Sequence, residues 1–392
     1  MLGKEAKLRN RRRDLRQFLH RFAPTLDKPR YKFFSQSLWS ILQSGSLVVA
    51  RWLRFIGDRC QNRFWRHKRL LNQLRSRAWD PQEVLRHYQQ AWAKHIEVDT
   101  PLIVDLTDLP RPRARKLKYL ALVRDGSDPD HRLVNGYWCM EIYAYFGKGR
   151  IAPLLLEPYS VEDPQILGEN PMILRSVDRV LQATEGCGVL VMDIGADRDN
   201  LLIPWSDDQR RFVVRLKGDR HLLRDNASHV QAAHLAESLL HDQQGQRRTA
   251  FCRVYLPERP HHPLYLVCRT FPGQDRPLML LSSLCVECSQ QAQQVLRYYR
   301  WRWKCEESAR FAKTSLGLER IALRTYEAFG PLLLLATLAM ALLTWMQLAL
   351  PTLDRWLCGK APGRHPIKFG YYRWLEWLRE QISPILPRSP PR

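Results

Sequence analysis

GVLVMDIGADRDNLL, Gly188–Leu202, reads in three parts. Val189–Met192 is an apolar run of strand length, Asp193 and Gly195 mark a turn, and Asp199–Leu202 opens a helix. A strand passing through a tight turn into a helix is the repeating piece of an α/β sheet. Upstream, PLIVDLTDLP (Pro101–Pro110) is a second buried-strand run, with Asp105 and Asp108 near its end. Between the two, Asn135–Ser160 reads as two strands joined at Gly147–Gly149, and 164–184 as a helix. RRFVVRLKGDRHLL (Arg210–Leu223) adds a further strand. The order β-β-β-α-β-α-β predicts a mixed α/β sheet with short connections.

On either side of this core the pattern changes. Residues 1–98 read as a basic helical domain, a candidate for DNA binding. Gly45 breaks one helical stretch, 62–76 is a basic helix, and Asp80 with Pro81 starts another. The core's first part spans 99–217. RTAFCRVYLP, PLYLVCRTF and LMLLSSL then predict a β-rich insertion over 218–286. A long helix from Glu287 to Gly317 and an apolar helix at 330–350 complete the core over 287–350. Gly330–Leu350 carries no charge and is long enough to span a bilayer. It stands alone within a basic chain and contains Gln347, so a buried core helix and no membrane association are expected. Residues 351–392 form a basic tail, frayed around Pro384, Pro387, Pro390 and Pro391.

The 392 residues carry a formal charge of +23 and are 45% hydrophobic. That composition excludes a disordered chain, and so large an excess of cations works against compaction unless a polyanion is the partner. Residues 1–80 hold 20 Lys and Arg against 5 Asp and Glu. The nine cysteines are odd in number and scattered, and Met1–Arg13 leads into charge, so free thiols in a reducing cytoplasm are expected. Cys285 and Cys288 form a single CxxC without a second pair, which does not make a zinc site. No phosphate-binding G-x4-G-K-[ST] loop is present.

Phosphodiester chemistry uses divalent metal held by hard oxygen ligands, and strand ends are where a sheet presents carboxylates. Asp105 and Asp193 both stand at strand ends. Asp108 competes for the first position, and Asp197 or Asp199 for the second. The long helix adds Tyr299, Arg302, Glu306 and Lys313, spaced Y-x2-R-x3-E-x6-K. At about 100° per residue the four fall within a sector of about 60°, with Arg310 close to the same line. A carboxylate among cations, beside Tyr299, Trp301 and Trp303, suits a metal site next to phosphates. A solvated face with i,i+4 ion pairs would explain the charges but not the aromatic residues.

YYRWRWKCEESARFAKTSLGLERI (Tyr298–Ile321) resembles the catalytic helix of the DDE transposases of bacterial insertion sequences, in the group with a Tyr-Arg-Glu-Lys pattern. VDLTDLP is similar to that family's first-aspartate strand and VMDIGADRDNLL to its second, with Ile194 where the group more often has arginine. The resemblance covers about residues 100–350. It implies a ribonuclease-H-like mixed sheet with a β-rich insertion. It also implies Mg²⁺, or Mn²⁺ as a substitute, held by Asp105, Asp193 and Glu306 as catalytic ligands. Tyr299, Arg302, Lys313 and Arg310 would contact DNA, and Trp303 would stack on a displaced base. The activity implied is cleavage at element ends and strand transfer into target DNA. The partners implied are double-stranded DNA and a second copy of the chain, in a bacterial cytoplasm at the nucleoid. The alternative is a basic DNA-binding protein of the same descent without catalysis.

Overall fold

The computed structural model describes residues 15–21, 26–56, 62–126, 128–130, 132–225, 227–242, 245–246, 248–359 and 369–382. Cys60, the tail from Pro384 onward and the charged residues 1–14 lie outside them. In chain order the elements begin with helices α1 (Lys28–Ser44), α2 (Val49–Trp52), α3 (Arg63–Leu74) and α4 (Pro81–Ala93). Strands β1 (Pro101–Pro110), β2 (Ala121–Arg124), β3 (Leu133–Tyr145) and β4 (Ile151–Tyr159) follow, then α5 (Glu169–Ala183), β5 (Val189–Met192), α6 (Asp199–Asp207) and β6 (Phe212–Arg215). Next come β7 (His221–Leu223), β8 (His229–Gln231), α7 (Ala232–Leu240), the two-residue strands β9 (His241–Asp242) and β10 (Gly245–Gln246), β11 (Thr249–Leu256), β12 (Arg259–Arg269) and β13 (Leu278–Ser282). The chain continues through α8 (Ser289–Trp301), α9 (Trp303–Arg310), α10 (Phe329–Ala349), α11 (Pro351–Cys358) and α12 (Tyr371–Ile382).

The chain divides into two compact units. The first comprises Met1–His95, Leu106–Glu169 and Glu306–Arg392. Its core is α10, buried on every face from Phe329 to Leu343 apart from Gly330. It is the one stretch among the described residues long and apolar enough to cross a membrane, and 83% of its apolar window is buried within the protein. The core helix expected from sequence is therefore what forms. Against it pack β4, α1 and α12. The side chains of α1 that turn inward are Phe33, Phe34, Leu38, Ile41 and Leu42. From α4, Tyr88 donates to the Pro153 carbonyl and Gln89 to the Leu154 carbonyl at 3.1 Å. The helices of residues 1–98 thus share a core with the apolar helix. An amphipathic helix has to bury its stripe, and the nearest apolar surface is α10 and β4.

The second unit comprises Ile96–Asp105 and Asn170–Cys305. Its strand order is β1-β5-β6-β13-β12-β11-β7-β8. β1, β5 and β6 run parallel, and β6 to β13, β13 to β12 and β12 to β11 are antiparallel. In the segment 218–286, β7, β8, β11, β12 and β13 extend the main sheet, while β9 and β10 pair with each other as a two-stranded ribbon. Leu280 and Leu281 of β13 pair directly with Arg215 and Val214 of β6. α8 covers this sheet and packs Val295, Tyr298 and Tyr299 among Val189, Val191, Val213 and Leu280. At the entry to β5, Gly188 has φ +114°, and a Cβ there would lie 2.5 Å from Leu102 of β1. Only glycine permits that backbone and that approach.

Strand β1 belongs to both units, leaving one at Asp105 and entering the other at Leu106. In the first unit β2 pairs antiparallel with β3 and β3 with β4, and in the second β1, β5 and β6 run parallel, which is the mixed α/β pattern expected.

Candidate active site

Parallel pairing sets Leu102 opposite Leu190 and Ile103 opposite Val191. Carried two residues further, the same register puts Asp105 level with Asp193. Neighbouring strands lie about 4.8 Å apart, so extending the register sets the two backbone positions side by side. Asp193 ends β5, and its Oδ1 accepts from the Gly195 N–H at 2.8 Å, capping the short 3₁₀ turn Ile194–Ala196. The Asp105 side chain remains about a quarter exposed; its Oδ2 is 3.5 Å from Arg302 Nη1 and 3.2 Å from Cys305 Sγ.

Arg302 is largely buried. Its guanidinium lies over the rings of Tyr299 and Trp303 at 5.7 and 5.6 Å from their centroids. Those three residues wall a cavity of about 660 Å³ with Arg215, Arg269, Arg276, Arg297, Arg300 and Phe271, and no acid lines it. Arg269 sits over Phe271, and Trp303 is more than half exposed. Six arginines and three aromatic faces make a site for phosphate and base chemistry. Sequence reasoning named Tyr299, Arg302 and Trp303 but missed the other five arginines. Arg297 and Arg300 were legible in RYYRW as one more helical face, but Arg215, Arg269 and Arg276 come from strand pairing.

The uniform helix expected over 287–317 is interrupted. A turn at Arg302 separates α8 from α9, and Phe311–Ser315 is a π-turn before the left-handed Gly317. A π-turn holds an extra residue, so a line drawn at α-helical steps does not extend to Lys313. Within the first unit, Lys313 Nζ instead meets Asp108 Oδ1 at 2.9 Å and Glu319 Oε1 at 3.6 Å. The buried Arg111 fastens the neighbouring turn, donating to the carbonyls of Leu318 at 3.1 Å and Pro110 at 2.6 Å. Burial lowers its pKa to about 10. Glu306 is half-buried in the first turn of α9, and Arg310 is exposed at its end.

The rival second ligands have other duties. Asp197 is sealed from solvent and accepts from the Lys217 N–H at 2.7 Å and from Arg220 Nε at 2.6 Å, while Asp199 pairs with the same arginine. Neither is available at the strand end as Asp193 is. Asp193 follows the end of β5 as expected, whereas β1 runs on to Pro110 and Asp105 stands in its middle, not at a strand end. Hard oxygens on two adjacent strands suit a divalent cation, which needs only one or two protein carboxylates when phosphates and water complete its shell. Asp105 and Asp193 fit that requirement. Among the described residues no three His, Cys, Asp or Glu side chains converge closely enough to hold an ion by themselves.

No curated protein matches the chain. Among solved structures it is similar to one described as a cryo-EM structure of a piggyBac transposase synaptic complex with hairpin DNA. The identity is 13% and the TM-score 0.47, over 91% of this chain and 77% of that one. The family model described as the transposase DDE domain matches residues 98–342, the stretch from just before β1 into α10. That match takes in Asp105, Asp193, Glu306 and more than half of the chain, which thereby belongs to the DDE transposase family.

Proposed function

We propose that this transposase cuts DNA at the ends of a mobile element and joins the freed 3′ end to a target duplex, with Asp105, Asp193 and Glu306 as metal ligands. The observation that supports this best is the parallel β1–β5 register, which levels Asp105 with Asp193 beside an arginine-lined cavity. Mg²⁺, or Mn²⁺ in its place, would be held by those carboxylates and would supply activation of the attacking oxygen and stabilisation of the leaving one. The chain's own contribution is positioning and charge. Arg302 orients Asp105 and borders the cavity, where the phosphates of an element end would lie. Tyr299 and Trp303 offer ring faces to an unpaired base. Arg310 adds an exposed cation for the backbone, and Lys313 joins it on exchanging Asp108 for phosphate. Two element ends must be held together, so the active species is a homodimer, working in the bacterial cytoplasm.

The test is cleavage of a duplex spanning an element end by the purified protein with Mg²⁺. Asp105→Ala, Asp193→Ala and Glu306→Ala should each lose more than the roughly 10–100-fold that removal of a mere supporting partner costs, while binding persists. A gel shift without metal-dependent cleavage by the unaltered protein would replace this reading with a DNA-binding protein that lacks catalysis.

A further inference from the structure

The connection between β1 and β2 is RPRARKLKYL, Arg111–Leu120, with five cations and no acid. Arg111 is buried, whereas Arg113, Arg115, Lys116 and Lys118 are exposed. This loop is built, not slack. The Arg111 N–H donates to the Asn135 carbonyl at 2.6 Å, and the Asn135 side chain donates back to the Ala114 carbonyl at 2.9 Å. The Tyr137 hydroxyl donates to the Lys118 carbonyl at 2.7 Å, and Tyr119 is held in the left-handed region at φ 56°. Arg115 donates to the carbonyls of Pro112 and Ala114, and Lys118 lies over the Tyr119 ring at 4.5 Å. No acid within the loop offsets its cations, and among the described residues neither Arg113 nor Lys116 has an acidic partner.

We propose that Arg113, Arg115, Lys116 and Lys118 form a platform that grips the phosphate backbone of the target duplex without reading its sequence. The inference rests on the transposase reading for its choice of polyanion. Three features carry it. The loop continues directly from β1, whose Asp108 Lys313 holds within the first unit, so it starts from a fixed strand end. The backbone is fixed in advance, so little ordering entropy opposes binding. Arg115 already donates to two carbonyls of the loop and Lys118 lies over the Tyr119 ring, so what they turn outward is charge, which suits phosphates that carry no sequence information. A target that must be accepted whatever its sequence calls for that kind of grip, whereas an element end must be recognised.

The experiment replaces all four residues with Gln in the full chain. Binding to an AT-rich and a GC-rich random duplex is measured in EDTA over roughly 50–200 mM salt. Each phosphate contact contributes about 0.9 to the slope of log K against log salt, so the slope should flatten by about 3–4 on both duplexes. The melting temperature should not move. Arg113→Lys with Arg115→Lys should restore the slope in a chain that keeps both native lysines, since charge and not guanidinium geometry is used. An unchanged slope overturns the proposal, as does a loss confined to one sequence or seen only with single strands. Because no metal is present, this result is independent of cleavage: a chain that binds through the loop but does not cut refutes only the catalytic reading.

Discussion

Asp193 accepts one hydrogen bond from its own turn, while Asp197 is enclosed and paired with Arg220. Their substitutions should therefore separate. Asp193→Ala removes a cap worth about 1 kcal/mol and should leave a folded protein without cleavage activity. Asp197→Ala leaves Arg220 with Asp199 alone and the Lys217 N–H without its acceptor, and should cost about 1–3 kcal/mol, read as a lower urea midpoint. Ordinary cleavage by Asp193→Ala would remove it from the ligand set. The thiols give a second residue-level expectation. Burial pushes Cys268 up to about 12 and raises Cys139 as well, while Cys285 and Cys288 are exposed. Native alkylation followed by mass spectrometry should label the exposed pair and spare the buried one. The unfolded chain releases these protons near pH 8.5 and the folded one retains them, so the thiols' contribution is lost as pH rises above that value. Labelling of Cys139 at the rate of Cys288 would contradict the packing of β3.

At the scale of elements, the break at Arg302 and the π-turn at Phe311–Ser315 give the two cations of the motif different surroundings. Arg302 serves Asp105 and the cavity, and Lys313 serves Asp108. Arg302→Ala should thus abolish cleavage and weaken DNA binding, and Lys313→Ala should lower stability as well as activity, because Asp108 is left buried beside it. Were this a solvated stripe, each change would cost only the roughly 0.3–0.5 kcal/mol of an exposed pair and leave cleavage at the unaltered rate. The β1–β5 register has its own test. Gly188→Ala forces a Cβ against Leu102 on a backbone with φ +114°, and should cost about 2 kcal/mol by thermal melt. An unchanged melt would mean that the close approach of these strands is not required.

For the whole molecule, the N-terminal helices present two aspects. α1 is woven into the core around α10, so deleting residues 1–80 should unfold the first unit and not merely reduce affinity. α3 differs: Phe64, Trp65, Lys68 and Arg69 are exposed, and only Leu70 and Leu74 are buried. Replacing Arg63, Lys68 and Arg69 with Gln should leave the melting temperature in place and flatten the salt slope on an element-end duplex by about 2–3. An unchanged slope would assign end binding to another surface.

How much of this could be read beforehand follows from range. The apolar run ending in Asp193, the glycine turns and the uncharged helix at 330–350 are local patterns, and each produced the element expected; the run before Asp105 is a strand too, but it carries on to Pro110. Tyr299 and Arg302, which border the cavity, were legible because helical spacing is also local. Three things were not legible. The π-turn that redirects Lys313 to Asp108 departs from uniform spacing without any proline or glycine to announce it. The arginines of the cavity are gathered by antiparallel pairing of β13 with β6 and β12, which no spacing encodes. The partnership of residues 28–93 with α10 joins segments more than two hundred residues apart. Periodicity tells which face of a helix must be buried, but the surface that buries it is chosen only when the chain closes on itself.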